Sequence, residues 1–230
     1  MSMKIACVAM TTVLASGCVS PPTIAHVHIG HAIDGARDTP GKEGYLVLAE
    51  RRAQEAHDLA TRANTETSPA QRKLLLVQLN VVVNGADNYS LVNSVQEIAN
   101  HISYSATSDD ASANVRQFTQ KLPTLVDPVV SSGQLISLLV TESQGTNSNA
   151  ALQELADAIY AESDSILGKS NPAAPSGIRS VRLEIDNMIA RENPPYSTVA
   201  RWYLFNIFRR DDGSWFFQSP AGNQTADGSY

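Results

Sequence analysis

The sequence predicts an all-α protein: a helical bundle of about six helices with a small C-terminal β-hairpin. Three observations carry this. Between residues 39 and 192 apolar side chains recur at helical spacing, cut into segments by caps, prolines and glycines. Aromatic residues are only 6% of the 230-residue chain while Ala, Ser and Asn are frequent, which suits closely packed helices. The character then changes over 201–217, where both tryptophans and four of the five phenylalanines fall.

At 43% hydrophobic and 17% charged, the chain can bury a real core. Its net charge is −6 at pH 7, with no dense Lys/Arg stripe, so no nucleic-acid partner is expected.

The first element is an export signal. Lys4 supplies a positive start, and Ile5 to Ala15 is an apolar run of 11 residues, too short to span about 30 Å of hydrocarbon. Leu14-Ala15-Ser16-Gly17-Cys18 follows. This resembles the lipobox of bacterial lipoproteins, in which the cysteine is lipidated and becomes the new N-terminus. The departure is Ala15, where the family prefers Leu. The resemblance implies a signal peptide over 1–17, lipidation of Cys18, a tether over 18–23 and a membrane contact through the lipid anchor. Val19 after the cysteine implies the periplasmic face of the outer membrane by default. An ordinary secretory signal cut after Ser16 or Gly17 is the alternative. With Cys7 removed and Cys18 acylated, no thiol is left for a disulfide, a thiolate zinc site or thiol catalysis. Removing the signal, whose one charged residue is Lys4, takes the net charge to −7.

Ile24 to His31 alternates and is expected to be extended, with His26 and His28 on one side of the backbone. Gly30 lets the chain bend so that His31 joins them. Thr39-Pro40 opens the first expected helix, which runs to about Asn64 on a stripe of Leu46, Ala49, Ala53, Ala56 and Ala60. Ser68-Pro69-Ala70-Gln71 is a capping box for the second, and Asn84-Gly85-Ala86-Asp87 breaks or kinks it. The third carries Leu91, Val95, Ile98 and Ile102 to about Ala106. Ser108-Asp109-Asp110 is expected to open a short helix to about Leu122, and Asp127-Pro128 to cap a separate one ending at Gly145. Asn147 or Ser148 starts the next, closed by Gly168, and Ile178 to Glu192 forms the last. The organisation is therefore a His-bearing bundle over 24–170, a linker over 171–177, a C-terminal helix plus hairpin over 178–220, and a tail over 221–230. Asp211-Asp212-Gly213 is the hairpin turn signal; a final helix over 197–208 is the alternative to its first strand.

The chemistry gathers in the histidines. His26, His28 and His31 fall within six positions, and His57 and His101 border apolar helical stripes. Neutral imidazole binds Zn, Cu(II), Ni and haem iron. Two histidines on one side of an extended segment, a third after a glycine bend and a fourth from a docked helix would make a transition-metal site for Cu, Zn or Ni. Asp34 and Asp38 could ligate or orient an imidazole. Histidines that merely pack and hydrogen-bond are the competing reading. Haem is a second choice: no C-x-x-C-H is present, which leaves non-covalent ligation by His57 with His101. H-E-x-x-H, paired C-x-x-C, G-x-S-x-G and P-loop patterns are absent. Nothing marks a nucleophile or a poised acid–base pair.

The run Ala25 to His31 with Asp38-Thr39-Pro40-Gly41 resembles uncharacterised exported bacterial proteins that carry a similar His-rich start before a helical body. It implies no activity. The expected function is that of a lipid-anchored periplasmic carrier, sensor or electron-transfer accessory that binds a metal ion or cofactor. A structural lipoprotein of an envelope complex, meeting its partner through the aromatic hairpin, is the alternative. A metal-dependent hydrolase ranks third.

Overall fold

The computed structural model describes residues 23–36, 39–86, 89–168, 175–193 and 195–196, with the strand backbones of 207–209, 215–218 and 224–225. The described residues are 82% helical and form seven helices. These are α1 (Ile24–Ile33), α2 (Tyr45–Thr65), α3 (Pro69–Asn84), α4 (Leu91–Thr107), α5 (Ala113–Gly145), α6 (Asn149–Leu167) and α7 (Gly177–Ala190). α2 packs against α3, α4 and α6, while α5 packs against α3, α4, α6 and α7. α1 lies mainly on α4 and touches the start of α2.

The segment expected to be extended is helical. Two contacts start α1. The Thr23 hydroxyl accepts the amide of His26 at 3.0 Å, and the Asp110 carboxylate accepts those of Ile24 and Ala25 at 2.6 and 3.1 Å. Capping donors that would otherwise be orphaned, with a negative charge at the positive end of the helix, favours this state. Ala25, Ile29 and Ala32, at i, i+4 and i+7, are its buried stripe. Gly30 is an ordinary helical position, not a bend. Its placement against α2 depends on Gly44, where an added Cβ would sit 2.3 Å from the Ile33 carbonyl carbon.

The alanine stripe of α2 is buried throughout: Leu46, Ala49, Ala53, Ala56, Ala60 and Ala63 are all 0% exposed. Short side chains let α3, α4 and α6 approach closely. Ser68 caps α3, accepting from the Gln71 amide, and buried Arg72 donates to the carbonyl oxygens of Ala63 and Glu66. α4 is capped by Ser90 and buries Leu91, Val95, Ile98 and Ile102.

The two helices expected on either side of Asp127-Pro128 are one. α5 runs 33 residues through Pro123 and Pro128, capped by Ser112. Each proline removes one backbone donor and crowds the preceding turn. The buried stripe Val115, Phe118, Leu122, Val126, Val129, Gly133, Ile136 and Val140 keeps its three- and four-residue steps past both. Burial against four neighbouring helices outweighs the local cost of about 3 kcal/mol per proline. α6 ends at Gly168, whose φ of +76° suits glycine.

The linker expected over 171–177 lies mostly outside the described residues, as do residues 1–22. So does most of the expected hairpin. There, short backbone segments Ile207–Arg209 and Trp215–Gln218 pair antiparallel, and the second pairs with Gln224–Thr225.

Candidate metal centre

An α-helix turns about 100° per residue, so positions 28 and 31 lie about 60° apart and one turn apart. Positions 26 and 28 lie about 160° apart, on opposite faces. Helix formation therefore reverses the expected pairing: His28 goes with His31, and His26 faces elsewhere. α4 supplies the third imidazole. One ligand nitrogen from each of His28, His31 and His101 lies within 4.8 Å of the others. Ring centroids are 5.1 Å apart for His31–His101, 6.1 Å for His28–His31 and 6.2 Å for His28–His101.

These distances can be set against what a metal needs. With metal–nitrogen bonds near 2.0–2.1 Å, a tetrahedral site holds its nitrogens about 3.4 Å apart. A triangle of side 4.8 Å closes onto such an ion when each nitrogen moves inward by less than about 1 Å. Small rotations of the side chains supply that. His28 Nδ1 is also buried with no hydrogen-bond partner among the described residues. A buried polar atom left in that state costs about 1–3 kcal/mol, and a metal ion or a donor would relieve it.

Two tyrosines complete the surroundings. Tyr45, 3% exposed, stacks on His101 at 5.5 Å and 27° from the core side. Tyr104, 58% exposed, has its ring centroid 5.9 Å from that of His28 and forms the solvent rim. The three histidines are half-buried between them. Tyr104 was missed in the sequence, although its place three residues after His101, on the same helical face, was a signal for it. Tyr45 gave no such signal, because it reaches the site from a different helix.

The other two histidines stand apart. His26 is 3% exposed, with Nε2 3.2 Å from Glu192 Oε2 and its ring edge-on to Tyr196 at 5.2 Å. Glu192 also accepts from Ser112 Oγ at 2.8 Å and from Asn114 Nδ2. His57 sits between α2 and α6, with Nε2 3.6 Å from Asp164 Oδ1 and its ring 5.4 Å from Tyr160. His57 and His101 thus occupy different helix seams, which gives no support to their sharing a haem. Asp34 accepts from the Tyr196 hydroxyl at 2.6 Å and does not join the cluster. Asp38 and Cys18 lie outside the described residues.

The resolved pKa displacements belong to α7. The Glu50 carboxylate, accepting from Arg182 at 2.6 and 2.9 Å, raises the guanidinium, and burial raises Asp186.

Comparison of the chain with family models, curated proteins and solved structures finds no match.

Proposed function

We propose that this chain is an exported, lipid-anchored protein that holds a transition-metal ion through His28, His31 and His101. The observation that carries the reading is the convergence of those three imidazoles from two helices to within 4.8 Å. The donor set suits Zn(II), Cu(II) or Ni(II), and its lack of thiolate or thioether argues against Cu(I). Its role is carriage, sensing or electron transfer in the periplasm. The export assignment rests on Lys4, the apolar run from Ile5 to Ala15, and Cys18.

The test is metal uptake by the purified chain. Elemental analysis and calorimetry with Zn, Cu and Ni should give one site per chain, abolished in His28→Ala/His101→Ala and kept in His57→Ala. Uptake unchanged by the double substitution, or no uptake at micromolar metal, overturns it. Labelling with radioactive fatty acid that depends on Cys18 tests the anchor.

A second reading, attachment to an envelope complex, draws on a different observation. Leu74, Val77 and Val81 on α3 and Leu135 and Leu138 on α5 are exposed. Exposed apolar side chains on helices packed together, as α3 and α5 are, suit a contact site where they form one patch. Co-purification of a partner lost on Leu138→Asp but kept on His28→Ala favours this reading.

A further inference from the structure

We infer that the ion held by His28, His31 and His101 takes its fourth ligand from solution, and that this ligand is a small anion. The inference rests on the metal reading above and specifies what the site is for.

Three observations lead to it. The first is the donor set. Among the described residues no fourth His, Cys, Asp or Glu side chain joins the cluster. Structural zinc sites are closed by four protein ligands, whereas sites that work on exogenous molecules use three and leave one position open.

The second is charge. Three imidazoles coordinate as neutral groups, so a divalent ion in this cluster keeps its full double positive charge. Among the described residues, three carboxylates on or against α1 have other partners: Asp110 caps the amides of Ile24 and Ala25, Asp34 accepts from Tyr196, and Glu192 is bound by His26, Ser112 and Asn114. An uncompensated dication in a half-buried site attracts an anion strongly.

The third is access. Tyr45 covers the core side of His101, while Tyr104, on the rim beside His28, is 58% exposed. The ion is therefore approached from the Tyr104 side. The phenol there is a hydrogen-bond donor suited to an anion.

The step is a ligand exchange. One metal–anion bond forms, one metal–water bond breaks, and no electron changes hands. Azide or a short carboxylate such as formate fits the class.

The experiment uses the whole chain loaded with Co(II), whose visible bands report coordination, titrated with sodium azide. The expected result is a saturable one-to-one change in band position and intensity, absent in cobalt-free protein, with cobalt still bound at the end. Bands that azide leaves unaltered while cobalt stays bound overturn the inference, since the fourth position is then filled by the protein. A cobalt-dependent doubling of mass in gel filtration also overturns it, because a second copy then supplies the fourth donor. Failure to bind cobalt, zinc, copper or nickel at all is a different outcome, and it removes the metal reading itself.

Discussion

The two faces of α1 carry the same side chain in opposite circumstances. On one, His26 is sealed against Glu192, and that carboxylate gathers donors from α1, from Ser112 at the cap of α5 and from Asn114. Every partner is a protein group, and the cluster ties the start of the bundle to the end of α7. On the other face, His28 and His31 meet His101, and among the described residues no carboxylate joins that group. His28 Nδ1 there is buried without a partner among the described residues. The contrast shows that counting histidines in a sequence does not find a site. The two faces differ in what each imidazole meets: a carboxylate at His26, other imidazoles at His28 and His31.

That contrast can be broken most severely on the sealed face. Glu192→Leu removes the shared acceptor of His26, Ser112 and Asn114 at once, and is expected to cost about 3 kcal/mol, read from urea denaturation. Metal uptake by the folded fraction should not change. On the open face the effects exchange places. His28→Leu should lower zinc affinity about 100-fold or more, by calorimetry. It removes a buried, unsatisfied nitrogen, so the metal-free protein should be as stable as the wild type or slightly more so. Stability lost in the absence of metal would place His28 with the structural histidines. Acid should release the ion, since imidazole must be neutral to coordinate.

A smaller effect is expected at His57, whose partner Asp164 is 54% exposed by side chain. His57→Ala should cost under about 1 kcal/mol by urea denaturation and leave metal binding intact. The smallest concerns Asp186. Burial raises its pKa, so the native state holds the proton more tightly than the unfolded state. Its contribution to stability is therefore present below the unfolded value and lost as pH rises through the folded one. Asp186→Asn should flatten that slope in thermal unfolding across the mildly acidic range, and a slope left unchanged would contradict it. The carboxylate is 55% exposed by side chain, so solvent screens most of the effect.

Much of the bundle could be read from local chemistry. The Ser68 cap, the alanine stripe of α2 and the end of α6 at Gly168 need only neighbours in sequence to be recognised. Two elements went the other way for the same reason. In α1, His26 and His28 interleave with Val27 and Ile29, so a period of two masks the Ala25, Ile29, Ala32 period. In α5, two prolines argue for a break, and only the unshifted stripe on either side shows that packing overrides them. The candidate site was half legible. Of the five expected histidines the fold brings three together, His28, His31 and His101, and which three depends on the hand and pitch of α1 and on α4 docking there. Neither is written within the His-x-His-x-x-His run.

The clamp of Asp110 on the first amides of α1 has a mechanical consequence. Any pull on the chain upstream of Thr23, as a tether fixed to a moving membrane would exert, arrives first at Ile24 and Ala25, where one carboxylate from the α4–α5 connection holds both. His28 lies one helical turn beyond. Load is thus handed to the body of the bundle before it reaches the imidazoles, and their spacing is insulated from a pull on the upstream chain.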